Sequence, residues 1–187
     1  MSQISKGSAR SKKLADPAEL NLDKVEIRKP LSAENQEQRA RNVLLHQLAR
    51  SSKSTKQLRE ILEKREIDSA IAETVLERFT EVGLIDDLQF AQTYVSSRRK
   101  FLGKSASTIR RELQQKGISN EIAIQVLAEI TQEDELQLAC QLAQRRISQL
   151  VRFEPEVRRR RLMAFLLRKG FSSSVVSQAV RQAEASL

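Results

Sequence analysis

Apolar residues along this chain return at every third or fourth position in blocks, and the blocks themselves return at a fixed period. LREILEKREIDSAIAETVLERF (58–79), IRRELQQKGISNEIAIQVLAEI (109–130) and LMAFLLRKGFSSSVVSQAVRQA (162–183) align without gaps. Their starts lie 51 and 53 residues apart (109 − 58 and 162 − 109). In this register Leu58, Ile109 and Leu162 coincide, as do Leu62, Leu113 and Leu166. So do Ile67, Ile118 and Phe171, then Ile71, Ile122 and Val175, then Leu76, Leu127 and Val180. The short spacing marks helices, and the long period marks a helical repeat.

Each block reads as two helices joined by a tight turn. Gly117 and Gly170 suit the left-handed end of a helix, with the apolar residue after each packing back on the last turn. Asp68, Ser119 and Ser172 then cap the next helix by accepting a backbone N–H. Ile67 with Ala72, Ile118 with Ala123, and Phe171 with Val176 are spaced as hydrophobic staples across those caps. The first block carries Glu66 where the others have glycine. A left-handed Glu costs on the order of 1 kcal/mol, so that turn is expected to be built differently.

A further helix precedes each pair. Residues 35–50 supply Val43, Leu44 and Leu48, residues 83–99 supply Phe90, Ala91, Tyr94 and Val95, and residues 134–150 supply Leu138, Ala139, Leu142 and Ala143. At an offset of 48, Phe90, Tyr94 and Arg98 meet Leu138, Leu142 and Arg146. The expected fold is all-α, a tandem array of three three-helix repeats over residues 35–82, 83–132 and 133–187. A basic, disordered extension over residues 1–34 precedes them. One unit alone buries little apolar surface, so neighbours must share a core or stack.

Composition agrees with helices. Of 187 residues 40% are hydrophobic, and no proline occurs between Leu31 and Glu154. Gly83, Gly103, Gly117 and Gly170 each fall where an apolar run stops. The N-terminus has no apolar leader, and no run approaches the roughly 18 apolar residues of a membrane helix. The expectation is a soluble, cytoplasmic monomer. Cys140, the one cysteine, lies beside Leu138 and Leu142 and reads as a small core residue. MSQISKGSARSKKL carries Lys6, Arg10, Lys12 and Lys13 with no acid, which adds non-specific attraction to phosphates. LNLDKVEIRKPL (20–31) alternates weakly, as a short strand or as a segment packed on the first helix.

The chain offers little for chemistry. His46 is the single histidine and no nucleophile elbow accompanies it. One Cys and one His cannot make a zinc site of the usual ligands, and neither GxxxxGK[ST] nor GxGxxG is present. No catalytic residue, metal, cofactor or small-molecule substrate is expected, and the chain reads as a non-enzyme. Asp86–Asp87 and Glu133–Asp134–Glu135 could hold Mg²⁺. Capping explains them more simply, since negative charge is favoured at a helix start, and Asp134 holds a place in the third unit similar to that of Asp86.

The basic residues stand out more. Lys and Arg number 33 against 24 Asp and Glu, for a net charge of +9, a balance that suits a polyanion. Arg158, Arg159, Arg160 and Arg161 lie in the early turns of a helix that Pro155 opens. Arg110 and Arg111 hold a related place in the second unit, and Lys53, Lys56 and Arg59 in the first. Cations there oppose the helix dipole. Four successive arginines span about 300° of a helical wheel and do not share one face. They read either as a solvated surface or as a repeated surface for a polyanion or an acidic partner. Arg98, Arg99, Lys100 and Lys104 extend it, with Phe101 as an apolar contact.

GLIDDLQFAQTYVSSR followed by IRRELQQKGI resembles the RecX family, regulators of the RecA recombinase. Gly83, Leu84, Asp86, Asp87, Phe90, Ala91, Tyr94, Val95 and Arg98 match the first motif. Arg110, Glu112, Leu113, Lys116, Gly117 and Ile118 match the second. The resemblance runs from about residue 36 to the end; the extension lies outside it, and Glu66 departs from it. It implies a protein that binds RecA filaments on DNA, in contact with single- and double-stranded DNA, and limits filament extension and ATP hydrolysis. Some relatives favour the filament instead. The binding candidates are Arg98, Arg99, Lys100, Lys104, Arg110, Arg111, Arg158, Arg159, Arg160 and Arg161. Two other classes stand beside it: a basic helical-repeat DNA-binding module without a recombinase partner, and an enzyme using Asp86 and Asp87 with a divalent metal.

Overall fold

The structure, a computed structural model, describes residues 32–187. The extension read at residues 1–34 lies almost wholly outside the described residues, and the strand-or-packing segment at 20–31 lies wholly outside them. The described chain is all-α: three units of three helices. The first unit holds α1 (Ala33–Arg50), α2 (Thr55–Glu63) and α3 (Ser69–Glu81). The second holds α4 (Asp87–Leu102), α5 (Ala106–Gln115) and α6 (Asn120–Leu127). The third holds α7 (Gln132–Ile147), α8 (Pro155–Lys169) and α9 (Ser173–Ala185), with a short 3-10 turn, Ser148–Leu150, between α7 and α8.

Each unit has its own core, made by the residues that coincide in the repeat register. Leu58 and Leu62 are buried with Ala40, Leu44, Val75, Leu76 and Phe79 in the first. Ile109 and Leu113 are buried with Ala91, Val95 and Ala123 in the second, and Leu162 and Leu166 with Ala139, Ala143 and Val176 in the third. Ile85 is buried with the first core. The staple residues Ile67, Ala72, Ile118, Ala123, Phe171 and Val176 are all buried, so each cap fixes the angle at which a helix pair closes. Asp68, Ser119 and Ser172 accept from Ala70, Ile122 and Val175 N–H. Extensive helix packing stays within units; neighbours meet through narrow joints and do not merge cores.

The turn at Glu66 is built like its counterparts, against the expectation. Glu66 takes φ 58, in the same left-handed region as Gly117 at 81 and Gly170 at 92. Ile67 N–H reaches back to the Leu62 carbonyl as Ile118 N–H does to Leu113. The strain is accepted because Glu66 is exposed and ends a helix with two orphan carbonyls to satisfy. The glycines answer a second demand. A Cβ on Gly117 would overlap Lys56, and one on Gly170 would overlap Thr108 and Ser105, both belonging to the preceding unit.

Those overlaps locate the joints. Buried Ser54 caps α2 by accepting from Gln57 N–H, and its Oγ donates to the Lys116 carbonyl at 2.6 Å. Lys56 Nζ donates to the Gln115 carbonyl at 3.2 Å. One unit on, buried Ser105 N–H donates to the Lys169 carbonyl at 3.1 Å, and Ser107 Oγ to the Gly170 carbonyl at 2.9 Å. The carbonyl end of α5 thus meets the N–H end of α2, and that of α8 meets that of α5. Helix dipoles run head to tail through both joints, and each satisfies groups that a free helix end leaves orphaned.

Candidate functional site

The acids of GLIDD divide two jobs between them. Asp86 is the N-cap of α4, accepting from Gln89 N–H at 2.9 Å. Asp87 instead reaches into the first unit and accepts from Thr55 N–H, the first amide of α2, at 2.9 Å. Glu135 repeats this 48 residues later, accepting from Ala106 N–H, the first amide of α5, at 3.2 Å. Both carboxylates are struts that cap a helix of the unit before their own. Asp134 does not hold the place of Asp86: Thr131 is the N-cap of α7 and Asp134 sits three residues inside, closing a capping box with it. The Thr131 hydroxyl and backbone N–H hold the Asp134 carboxyl below its ordinary range. Among the described residues no group of three or more His, Cys, Asp or Glu could hold a metal ion.

The two sequence motifs converge on Glu112. Its carboxylate takes the Tyr94 hydroxyl at 3.0 Å and the Lys104 ammonium, and Arg98 Nε stands 3.5 Å away. The Arg98 guanidinium lies 4.5 Å from the Tyr94 ring centre, and Lys116 Nζ lies 5.3 Å from it. Burial raises the Glu112 pKa, but the hydrogen bonds from Lys104 and Tyr94 and the charges of Lys104 and Arg98 outweigh it and hold the carboxyl low. Burial pushes the Tyr94 hydroxyl up. Here three cations gather round one anion and one ring, leaving a local excess of positive charge on α4 and α5.

The ten candidate cations are placed very differently. Arg99 is mostly covered, ion-paired with Glu135, and donates to the Asp134 carbonyl at 3.3 Å, so it ties the second unit to the third. Arg98 and Lys104 belong to the Glu112 cluster. Lys100 is exposed, with Nζ 5.6 Å from the ring centre of Phe101, which is 73% exposed. Arg110 and Arg111 are exposed and donate to Asn120 Oδ1 and Thr108 Oγ1.

Pro155 does open α8, and Glu156 is the acid of its first turn. Arg158 is half-buried, and its Nε is buried without a hydrogen-bond partner. Arg159 is paired with Glu184 of α9 at 2.8 Å, which raises its pKa. Arg161 lies 3.8 Å from the centre of the Phe153 ring, and Arg152 lies 5.0 Å from it. Arg160 is exposed, with no such contact. The four arginines therefore have four different surroundings, as their spread around the wheel requires.

Two further features escape single-residue reading. Arg146 and Lys169 approach the Phe165 ring at 5.7 and 5.6 Å, and Lys169 Nζ donates to the Leu102 carbonyl at 2.6 Å, across the second joint. The recurrence of Ser54 at Ser105 and of Asp87 at Glu135 was the signal for the joints. Cys140 is only partly buried; its Sγ donates to Gln182 Oε1 at 2.9 Å and burial raises its pKa, which keeps it a thiol. No described helix is long and apolar enough to cross a membrane.

Three family models match in tandem, one on each unit. They are RecX, first three-helix domain, on residues 40–79; RecX, second three-helix domain, on 86–127; and RecX, third three-helix domain, on 133–180. A regulatory protein RecX of Streptomyces coelicolor is 35% identical over 177 residues, covering 95% of this chain and 88% of that one. One of Mycobacterium leprae is 38% identical over 152 residues, covering 81% and 89%. A crystal structure of RecX from Lactobacillus salivarius, 20% identical, shares the fold with a TM-score of 0.72 over 81% of this chain and 99% of its own. With matched domains in order across most of the described residues, this chain belongs to the RecX family.

Proposed function

We propose that this protein modulates the RecA recombinase as a non-enzymatic regulator. It binds RecA–DNA filaments and limits their extension, and with it ATP hydrolysis and strand exchange in DNA repair. The observation that supports this most is the match of RecX domains to all three units, joined to exposed cations on the second and third units. Lys100, Arg110, Arg111 and Arg158–Arg161 are the residues we assign to the contact. Arg98 and Lys104 carry positive potential beside them from the Glu112 cluster. Arginine contacts to phosphates or to acids of RecA supply attraction, and a rigid array fixes their spacing along a repeating partner. The protein acts in the cytoplasm as a monomer.

The test is RecA ATP hydrolysis on single-stranded DNA with and without the protein, followed as filaments extend. A fall in rate with protein concentration supports the reading, a rise assigns the opposite sign, and no change overturns it. A DNA-binding module without a recombinase partner is the second reading, favoured by the net charge of +9. Capture by RecA filaments that persists in high salt argues against it, because phosphate contacts alone weaken steeply with salt.

A further inference from the structure

Both joints use the same three positions of the repeat: a serine seat at the start of the middle helix, an acid on the following unit's first helix, and a left-handed glycine in the following unit's turn. In the first and last units of the described array these positions are changed. In the first unit, Gln36 stands at the register of Asp87 and Glu135, and it accepts the Asp68 N–H within its own unit at 2.9 Å. Glu66 stands at the register of Gly117 and Gly170, where a Cβ would overlap Lys56 in the first joint and Ser105 and Thr108 in the second.

In the third unit, Arg158 stands at the register of Ser54 and Ser105. The repeat spacing also changes there. Buried Ala91 and Ala139 are 48 residues apart, whereas buried Leu113 and Leu166 are 53 apart, so five extra residues (53 − 48) enter between Leu150 and Arg158. They start α8 a turn early, at Pro155. Arg158 N–H already bonds the Glu154 carbonyl at 2.9 Å. Arg159, at the register of Thr55 and Ala106, lies inside the helix, where its N–H belongs to the ladder and is not open to a neighbour's acid. Phe153, from the same insertion, carries the Arg161 guanidinium on its ring.

We infer that these changes are terminators, which hold the array at three units by refusing a second copy of this chain at either end. A repeat whose two ends were complementary would join head to tail, and such a contact need not close on itself and would grow into filaments. The first unit lacks both the acid and the glycine that dock. The third unit replaces a small polar seat by arginines and an added helical turn. The inference rests on the joints alone and holds whether or not the chain acts on RecA.

Opening one end per chain tests it. One variant carries Gln36→Glu with Glu66→Gly; the other has residues 151–161 exchanged for the sequence of residues 103–108, which removes the insertion. In sedimentation equilibrium the wild type and each variant alone should remain single chains, and the two variants mixed should form a species of twice the mass. Mixed variants that are folded by circular dichroism but stay apart would overturn the inference, as would a wild type that pairs end to end. The reverse transplant does not depend on that exchange folding. Asp87→Gln with Gly117→Glu places the terminator residues of the first unit in the second, and should make the first unit melt apart from the other two. A single shared transition with the first joint intact would sink the idea.

Discussion

The hydroxyl of Ser54 donates to the Lys116 carbonyl, 62 residues away, at 2.6 Å. The same oxygen accepts from Gln57 N–H at 3.3 Å, so one buried atom caps α2 and closes the first joint. Ser54→Ala removes both bonds and strands a carbonyl at a helix end. The expected cost is about 1–3 kcal/mol, from the lost cap and the unpaired acceptor together. Urea unfolding measures it, and amide exchange at Thr55–Gln57 should quicken more than exchange in α9.

Gly117→Ala and Glu66→Ala separate the strain of a turn from the closeness of a joint. Both place alanine at positive φ, but only Gly117 faces another unit. Gly117→Ala should cost about 1 kcal/mol for the backbone, and more for the displacement of Lys56. Glu66→Ala should change stability by no more than about 0.5 kcal/mol, as for an exposed site whose strain is already present. A Gly117→Ala loss of no more than about 1 kcal/mol, the backbone term alone, would mean that the close approach carries no energy.

The fold was legible because helix-forming signals are local and the repeat states them three times. Leu58, Ile109 and Leu162 share a register and are all fully buried, and Ser119 and Ser172 cap as their spacing requires. What the sequence hid was contact at long range. Asp87 reads as a helix-starting acid from its neighbours, and only the stacking of units turns it toward Thr55. Glu66 reads as a changed turn only if conformational freedom is glycine's one purpose there, and in the second and third units glycine also makes room for a neighbour. The candidate surface was legible as charge but not as availability: Arg99 and Arg160 look alike in the sequence, yet one is held by Glu135 and the other is exposed.

Leu113 sits at the centre of the second core, fully buried, at the register of Leu62 and Leu166. Leu113→Ala should destabilise the protein by roughly 2–5 kcal/mol, the lost transfer of three carbons plus the cavity left behind. Because each unit has a separate core, the loss should fall first on α4–α6, as a lower-melting step in calorimetry. Loss shared evenly by all three units would show that the joints couple them more tightly than their few hydrogen bonds require.

Glu112 sets an acid limit on the middle unit. Its folded pKa lies below the ordinary value, so its contribution is present above the unfolded pKa and is lost as pH falls through the folded one. Stability should therefore drop below about pH 4, and Glu112→Gln should flatten that limb while lowering stability at neutral pH. An unchanged acid limb in the variant would remove Glu112 from the account.

The arginine run offers the sharpest test of the working surface, because its members differ in what they would lose. Arg159 leaves the Glu184 pair and Arg161 leaves the Phe153 ring when replaced, whereas Arg160 is exposed and leaves no hydrogen bond, ion pair or ring contact. Arg160→Gln should preserve helix content and melting temperature while weakening capture by RecA–DNA filaments. If Arg160 meets a phosphate, the slope of log affinity against log salt should shallow by about 0.7–0.9. Replacing Arg158, Arg159, Arg160 and Arg161 together should weaken binding further and lower the salt dependence again, with a small loss of stability from the Phe153 end. If the filament partner is met instead through acids of RecA, affinity falls with both variants but the loss is the same on different DNA lengths. A quadruple variant that folds and modulates ATP hydrolysis like the wild type at every salt would move the contact to Lys100, Arg110 and Arg111, on the second unit.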